Sequence, residues 1–314
     1  MENQQSAPDT GDIARNQLAN KNEKSNIAGV LLSLTGAFLF SFDTVLIRLA
    51  SVSSWDVALW RGLFVIIPIS FILFITEKTT VFTKIKQQGF PLVLSGMMWG
   101  TSGTLFVTAV KNTIAANVLV MISLAPFFAA IAGYIILKEK IKRGTLLLII
   151  LCALGVFIIF YGDIGRGTLF GNVMGLLVPV TTGTNLAWMR KHKDISRMGA
   201  VIIGGFTAAI VSFFFAAPVV IPPVKSLVYL ALLGLIVVPF AQLFLSIGTR
   251  SLPASRVAIM MMLETVVGPV WVWLFIGEIP PVKTFLGGLL IITGVTLNSF
   301  QSVNQKLEVK NGKN

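Results

Sequence analysis

Charged side chains are scarce in this sequence. Of its 314 residues only 12% are Asp, Glu, Lys or Arg, whereas 55% are hydrophobic, and the mean hydropathy is +0.84. A water-soluble globular protein of this length needs more polar side chains to cover its surface. The composition therefore excludes a soluble protein and predicts that a lipid bilayer surrounds most of the chain.

Cysteine and histidine are each present once, as Cys152 and His192. A disulfide needs two cysteines, and a zinc site of the cysteine and histidine type needs about three or four such ligands, so both are excluded. The sequence also lacks a Walker loop, an HExxH helix and a GxSxG turn. We therefore predict no metal site, no cofactor, no enzymatic activity and no direct use of ATP.

Long uncharged runs, in contrast, are abundant, and most of them reach the roughly 17 to 25 residues that a membrane-spanning helix needs. Two further apolar runs contain acidic residues, among them Asp43 and Glu264. Together these runs predict an all-α membrane protein with ten transmembrane helices. The uncharged runs are 62–76, 87–110, 112–137, 144–162, 167–189, 198–224, 226–249 and 284–305, and the two acidic ones are 28–49 and 253–276.

Both ends of the chain are polar. Residues 1–26 have mixed charge and no apolar core, which excludes a signal peptide and predicts a disordered cytoplasmic tail. Residues 301–314 predict a second cytoplasmic tail.

The basic residues are unevenly distributed once the ten spans are made to alternate across the membrane. With the N-terminus in the cytoplasm, nineteen of the 25 Lys and Arg residues lie on the cytoplasmic side and six on the outer side. Membrane proteins concentrate Lys and Arg on the cytoplasmic side. We therefore predict a multi-pass protein of a bacterial inner (plasma) membrane with both termini cytoplasmic. The net charge of +12 then reflects orientation rather than binding of nucleic acid.

The chain contains an internal repeat. Matches at an offset of 139 residues join the fourth and fifth spans to the ninth and tenth, and matches at about 142 join the first span to the sixth. We predict two five-span repeats, 27–162 and 163–300. Because five is odd, the second repeat enters the membrane from the opposite side, an arrangement that permits alternating access. The matches include Val118 with Val257, Met121 with Met260, Glu139 with Glu278, Asp43 with Asn185 and Arg48 with Arg190.

The segment "LAPFFAAIAGYIILKEK" resembles the EamA repeat of the drug/metabolite transporter superfamily, with Pro126 and Glu139 at the family's Pro and Glu positions. The second copy, "LETVVGPVWVWLFIGE", matches the Glu through Glu278, but it has Thr265 at the Pro position and Pro269 one turn later. The resemblance covers residues 27–300. It implies ten helices, both termini inside, and transport of a small metabolite.

Glu264 is the first candidate functional residue, because an acidic group inside a span is costly unless it is paired, protonated or facing a cavity. It shares a helical stripe with Gly268 and Trp271, and the Gly268-Pro269 step could open the backbone toward a cavity. Glu264 could bind a cationic substrate group, exchange a proton, or only hold helices together. Trp271 could line a cavity or mark the membrane interface.

Asp43, Asn185 and Arg61 are the other polar candidates within spans. Asp43 and its repeat counterpart Asn185 differ in charge, which could give the transport cycle a direction; alternatively, Asp43 could form a structural ion pair with Arg61 or Arg48. Arg61 matches an arginine found early in the second helix of many relatives. It could bind a carboxylate or phosphate through two hydrogen bonds, or extend to the outer interface.

Prolines inside spans remove a backbone hydrogen bond and permit bends. Pro126 and the Gly268-Pro269 step are therefore candidate hinges, although a static kink fixed by packing is the more common role of a single proline.

The combined prediction is a secondary transporter of a small polar, amino acid-like metabolite. We expect an exporter that works by alternating access, either coupled to protons or driven by another gradient. The alternatives are a passive facilitator of the same fold and a non-transporting membrane scaffold. The expected partners are the substrate and the lipid bilayer, with no nucleic acid, and the protein is expected to be a monomer or a homodimer.

Overall fold

The computed structural model describes residues 10–77, 80–138, 151, 154–161, 169–216, 218–251 and 254–293, with side chains in most of these ranges. Glu139, Cys152 and both extreme ends of the chain lie outside them. Throughout the described ranges the regular structure is helical, without a strand. The helices are α1 Thr10–Leu49, α2 Ser54–Glu77, α3 Thr80–Asn112, α4 Ala115–Ile122, α5 Ala125–Leu137, α6 154–161, α7 Leu169–Lys191, α8 Arg197–Phe215, α9 Val224–Ala231, α10 Val238–Ser251, α11 Ala254–Ile276 and α12 Val282–Thr293.

Helix α1 begins at Thr10, inside the stretch 1–26 for which the sequence predicted a disordered tail. After Gly11 this stretch contains no glycine or proline, and eight of its fifteen residues are Ala, Leu, Gln, Glu, Lys or Arg, which are good helix formers. The apolar span that follows is already helical, so its extension needs no new nucleus. Helix α1 therefore extends into this polar stretch, because polar composition alone does not end a helix.

Within the described ranges, six helical segments are long and apolar enough to cross a membrane, so the chain is a multi-pass membrane protein. Two shorter apolar helices, Leu263–Ile276 and Val282–Thr293, follow near the C-terminal end of the described chain. The six long segments are Ile27–Leu49, Ser54–Ile75, Lys86–Asn112, Ala115–Leu137, Arg197–Phe215 and Val224–Gly248.

Several spans are interrupted. The fourth breaks between α4 and α5, immediately before Pro126, which occupies the first turn of α5, where proline is tolerated. In α3 the chain bends at Gly89, whose φ of 48° and ψ of −136° suit glycine. Between α9 and α10 the residues Leu232–Val237 form a π-helix.

Contacts between the two halves follow a two-fold pattern. By the repeat, α1, α2 and α3 correspond to α7, α8 and the α9–α10 segment, and α4–α5 corresponds to α11. The contact of α1 with α11 then has its counterpart in that of α5 with α7, and the contact of α1 with α10 in that of α3 with α7. The contacts of α3 with α8 and of α2 with the π-helix correspond in the same way. The two halves therefore pack as equivalent units.

The two equivalent helices α2 and α8 approach each other closely where they cross. Ser53 and Ser196 accept a hydrogen bond from the amide three residues later at the start of each helix. Counted from these caps, Gly62 and Gly205 are equivalent. A Cβ atom on Gly62 would lie 2.7 Å from the Gly205 carbonyl oxygen, and one on Gly205 would lie 2.8 Å from that of Gly62. Only glycine permits this approach of the two backbones.

Candidate functional site

Asp43 of α1 and Arg61 of α2 form a buried ion pair. Arg61 Nη2 donates to Asp43 Oδ2 over 2.7 Å, and the residues are 7% and 2% exposed, respectively. Of the partners proposed for Asp43 from the sequence, the structure selects Arg61 over Arg48. Arg61 accordingly lies inside the bundle instead of extending to the outer interface.

The arginine side chain also contacts α3. A Cβ atom placed on Gly103 would lie 2.9 Å from Arg61 Nη1, so the absence of a side chain at Gly103 makes room for the guanidinium. Asp43 Oδ1 and Arg61 Nε are buried without a hydrogen-bond partner among the described groups. Such groups are costly to leave unsatisfied, and they are the atoms through which a ligand or water can bind.

Glu264 of α11 adds a third buried ionisable side chain to this ion pair. It is 9% exposed and lies within electrostatic range of both Asp43 and Arg61. The structure therefore brings together the three ionisable candidates of the sequence. Because Arg61 is already paired with Asp43, the cluster has one carboxyl group in excess of its cations. That group can bind a proton or a cation, and its burial excludes most competing water.

Trp271 lies two helical turns beyond Glu264 and connects α11 to α1. Its indole N–H donates to Ser41 Oγ over 2.9 Å, and its ring stacks on Phe42 at 4.8 Å between centroids. Both contacted residues directly precede Asp43 in the chain. Trp271 therefore holds α11 against α1 near the position of Asp43, and Ser41 is a polar partner that sequence reasoning missed because a serine inside a span carries no distinctive signal.

Asn185 lies in a separate place, between α7 and α3. Its Oδ1 accepts a hydrogen bond from Ser95 over 2.7 Å, and the residue is buried. The structure thus does not bring Asn185 to Glu264. It is the neutral counterpart of Asp43 in the other half, paired by a hydrogen bond instead of a salt bridge.

The hinge candidates differ from one another. Pro126 directly follows the break between α4 and α5, whereas Pro269 lies within the continuous helix α11. Gly268 faces α4, where an added Cβ atom would lie 2.6 Å from Leu119 Cδ1. Gly268 therefore permits close packing of α11 on α4 at this point, and its role as a hinge stays a prediction.

A second ion pair closes the end of the bundle that is predicted to face outside. Arg48 Nη2 lies 2.9 Å from Glu278 Oε2, and Glu278 Oε1 accepts from the Ala115 amide at the start of α4 over 2.6 Å. Lys111 donates to the Ala50 carbonyl at the same end. The glutamate that the EamA pattern singled out thus joins α1, α4 and the link after α11.

Comparison with known proteins adds the family to this geometry. The model of the EamA-like transporter family matches residues 27–161 and 169–300, which together make up most of the chain. The chain belongs to this family. Family membership indicates a transporter rather than an enzyme, and it confirms the resemblance inferred from the two repeat motifs.

Relatives of this EamA-like transporter carry names of the same kind. "Pseudopaline exporter CntI" of Pseudomonas aeruginosa is 26% identical over 274 residues, which cover 84% of this chain and 93% of that protein. "Uncharacterized transporter YoaV" of Bacillus subtilis is 24% identical over 255 residues, covering 77% and 85%. A solved crystal structure superposes with a TM-score of 0.62 at 13% identity, over 87% of this chain and 96% of the other, which supports the fold.

Proposed function

We propose that this EamA-like transporter is a secondary transporter that exports a small polar, amino acid-like metabolite by alternating access, with proton exchange at Glu264. The observation that carries the proposal is the buried cluster of Asp43, Arg61 and Glu264, in which one carboxyl group is left without a cation of its own.

The chemistry of the cluster supports a substrate with both acidic and basic groups. Arg61 has donors beyond the one that Asp43 occupies, and they suit a carboxylate. Glu264 suits an ammonium group, and Trp271 offers an aromatic face for an apolar side chain or a cation. A proton and an ammonium group compete for the same carboxylate, so loading of one favours release of the other. This competition is the physical basis of exchange.

Alternating access is supported by the equivalence of the two halves. A molecule of two similar units has two similar packings, and rocking of one unit against the other opens a site between them to either side. We infer ten transmembrane helices in two inverted five-helix repeats, with both termini in the cytoplasm of a bacterial inner membrane. The direction of transport is inferred from the name of the Pseudomonas relative, which is an exporter.

Flux measurements in proteoliposomes test this function. Metabolites that accumulate in the medium of overexpressing cells, relative to cells lacking the gene, provide the labelled probes. We expect uptake or efflux that stops when a protonophore collapses the pH gradient. Flux that survives this collapse indicates a passive facilitator, and reconstituted protein that moves none of the probes indicates a scaffold.

Labelling of single cysteines tests the orientation. With Cys152 replaced, cysteines introduced at 190–197 should react only with reagents applied from the cytoplasm. Reaction from outside would refute the proposed topology.

A further inference from the structure

A large cavity lies away from the charge cluster, at the end of the bundle that contains the link between α7 and α8. Its volume is about 1390 Å³, and both halves of the molecule line it. The walls come from the end of α2, the bend of α3, the α7–α8 link and the last turns of α10. The proposed function assigns no role to this cavity.

Positive charge dominates its polar wall. Three cationic side chains line it, against a single carboxylate, that of Asp194. The amides of Gln87 and Gln88 and the ring of His192 add neutral polar groups. An anion in this cavity therefore meets a net positive field from the α7–α8 link. The three cations are those of Lys191, Lys193 and Arg197.

The fold holds part of this wall in place. Gln88 Oε1 accepts from the Ser196 amide over 2.9 Å, so that its amide nitrogen remains as a donor, and Ser196 Oγ caps the start of α8 at Gly199 N. The α8 N-terminus, with its partial positive charge, thus lies at the cavity. Trp188 fixes the link from the other side by donating to the Pro91 carbonyl over 3.0 Å and packing on His192 at 4.2 Å.

The opposite wall is apolar. Ile72 and Leu73 of α2 and Leu243 and Ile247 of α10 face the same space. A bare inorganic ion would leave this surface in contact with water. A ligand that carries an anionic group and an apolar portion satisfies both walls.

We propose that this cavity is a binding site for an amphipathic anion with a phosphate or carboxylate group, held by the basic α7–α8 link. The group is either that of a soluble metabolite or the headgroup of an anionic lipid, because both present the same charged oxygens next to an apolar part. The site is distinct from the Asp43–Arg61–Glu264 cluster, and it exists whether or not the protein exports a metabolite.

Thermal unfolding of the purified full-length protein in an uncharged detergent tests the site, since a ligand that binds the folded state raises Tm. One series adds hexyl phosphate, with sodium chloride at equal ionic strength as the reference. A second series adds phosphatidylglycerol, with phosphatidylcholine as the reference. The test variant is Lys191→Gln/Lys193→Gln. The matched control is Lys225→Gln/Lys283→Gln, which removes the same charge at positions outside the cavity lining.

We expect at least one of the two anions to raise Tm in the unmodified protein and in the control. In the test variant, at least about tenfold more ligand should be needed for the same shift, because the loss of even one charge-assisted hydrogen bond weakens binding by about this factor. A lysine-dependent response to hexyl phosphate identifies a soluble anion, and one confined to phosphatidylglycerol identifies a lipid headgroup. The absence of any shift, or equal shifts in test and control variants, would overturn the proposal.

Discussion

Two equivalent regions in the interior of the molecule differ in chemistry although their helices pack alike. One lies among α1, α2 and α11, and the other lies among α7, α8 and α5. The first contains Asp43, Arg61 and Glu264, whereas Asn185 and Ala125 occupy the places of the two acids. Beyond Arg197 in its first turn, α8 has no charged residue. The second interior is joined instead by the neutral hydrogen bond between Ser95 and Asn185.

This difference distinguishes the residues that the fold requires from those that the function requires. The uncharged interior has an α5–α7 contact equivalent to the α1–α11 contact of the interior with the ionisable groups, so these groups are not required for that helix packing. A buried ion pair also contributes little net stability, because the desolvation of both charges offsets their attraction. Charges kept in only one of two equivalent places are therefore better explained by ligand binding than by packing.

The largest expected effect follows from removing one partner of the buried pair. Arg61→Ala leaves Asp43 buried without a cation, which should lower the free energy of unfolding by about 3–5 kcal/mol. Thermal unfolding in detergent and the yield of folded protein measure the change. Transport should be lost as well.

A double variant makes the charged half resemble the neutral one. Asp43→Asn/Arg61→Gln removes both charges and retains groups that can hydrogen-bond, so it should recover most of the lost stability without recovering transport. A double variant as unstable as Arg61→Ala would show that the pair is needed for folding, and the comparison of the two halves would then lose its meaning.

The sequence identified polar residues inside the spans but not their partners. Helical periodicity assigns Asp43 to a face of α1, but the neighbour across that face depends on which helices pack together. The alternatives Arg61 and Arg48 therefore stayed open until the structure paired Arg48 with Glu278. The family resemblance, which rests on motif spacing, was confirmed.

Small residues were the least predictable from sequence. Gly268 next to Pro269 suggested an opening of the helix, yet it lies against Leu119. Gly103 has no distinctive sequence context, although its lack of a side chain accommodates Arg61. A glycine in a span indicates that another group can approach the backbone, and only the three-dimensional structure shows which group that is. The equivalence of Gly62 and Gly205 likewise follows from the capping hydrogen bonds of Ser53 and Ser196, which are seen in the structure.

Neutralising the unpaired carboxyl should affect coupling more than stability. Glu264→Gln keeps the size and hydrogen-bonding capacity of the side chain but cannot exchange a proton. We expect pH-driven transport to be abolished while substrate counterflow continues, with thermal stability close to that of the unmodified protein. Proteoliposome flux with and without a pH gradient measures both activities.

The control for this variant is Glu264→Ala, which removes the hydrogen-bonding group as well. If Glu264 only holds helices together, the alanine variant should lose stability and the glutamine variant should transport normally. Full pH-driven transport by Glu264→Gln would remove this residue from the coupling mechanism and leave Asp43 as the acid to test.

The smallest effect on stability is expected in the neutral interior, where Ser95 and Asn185 form a hydrogen bond. Asn185→Ala removes a single hydrogen bond with Ser95, and a neutral hydrogen bond contributes about 0.5–1.5 kcal/mol to stability. Ser95→Ala should cost a similar amount, and the double variant should cost less than the sum of the two, because either substitution alone already breaks the bond. Thermal unfolding of the three variants measures this coupling.

If Asn185 acts only in packing, pH-driven flux should persist in all three. Loss of pH-driven flux in Asn185→Ala with little loss of stability would place Asn185 in the transport cycle, and the chemistry would then extend over both halves of the molecule.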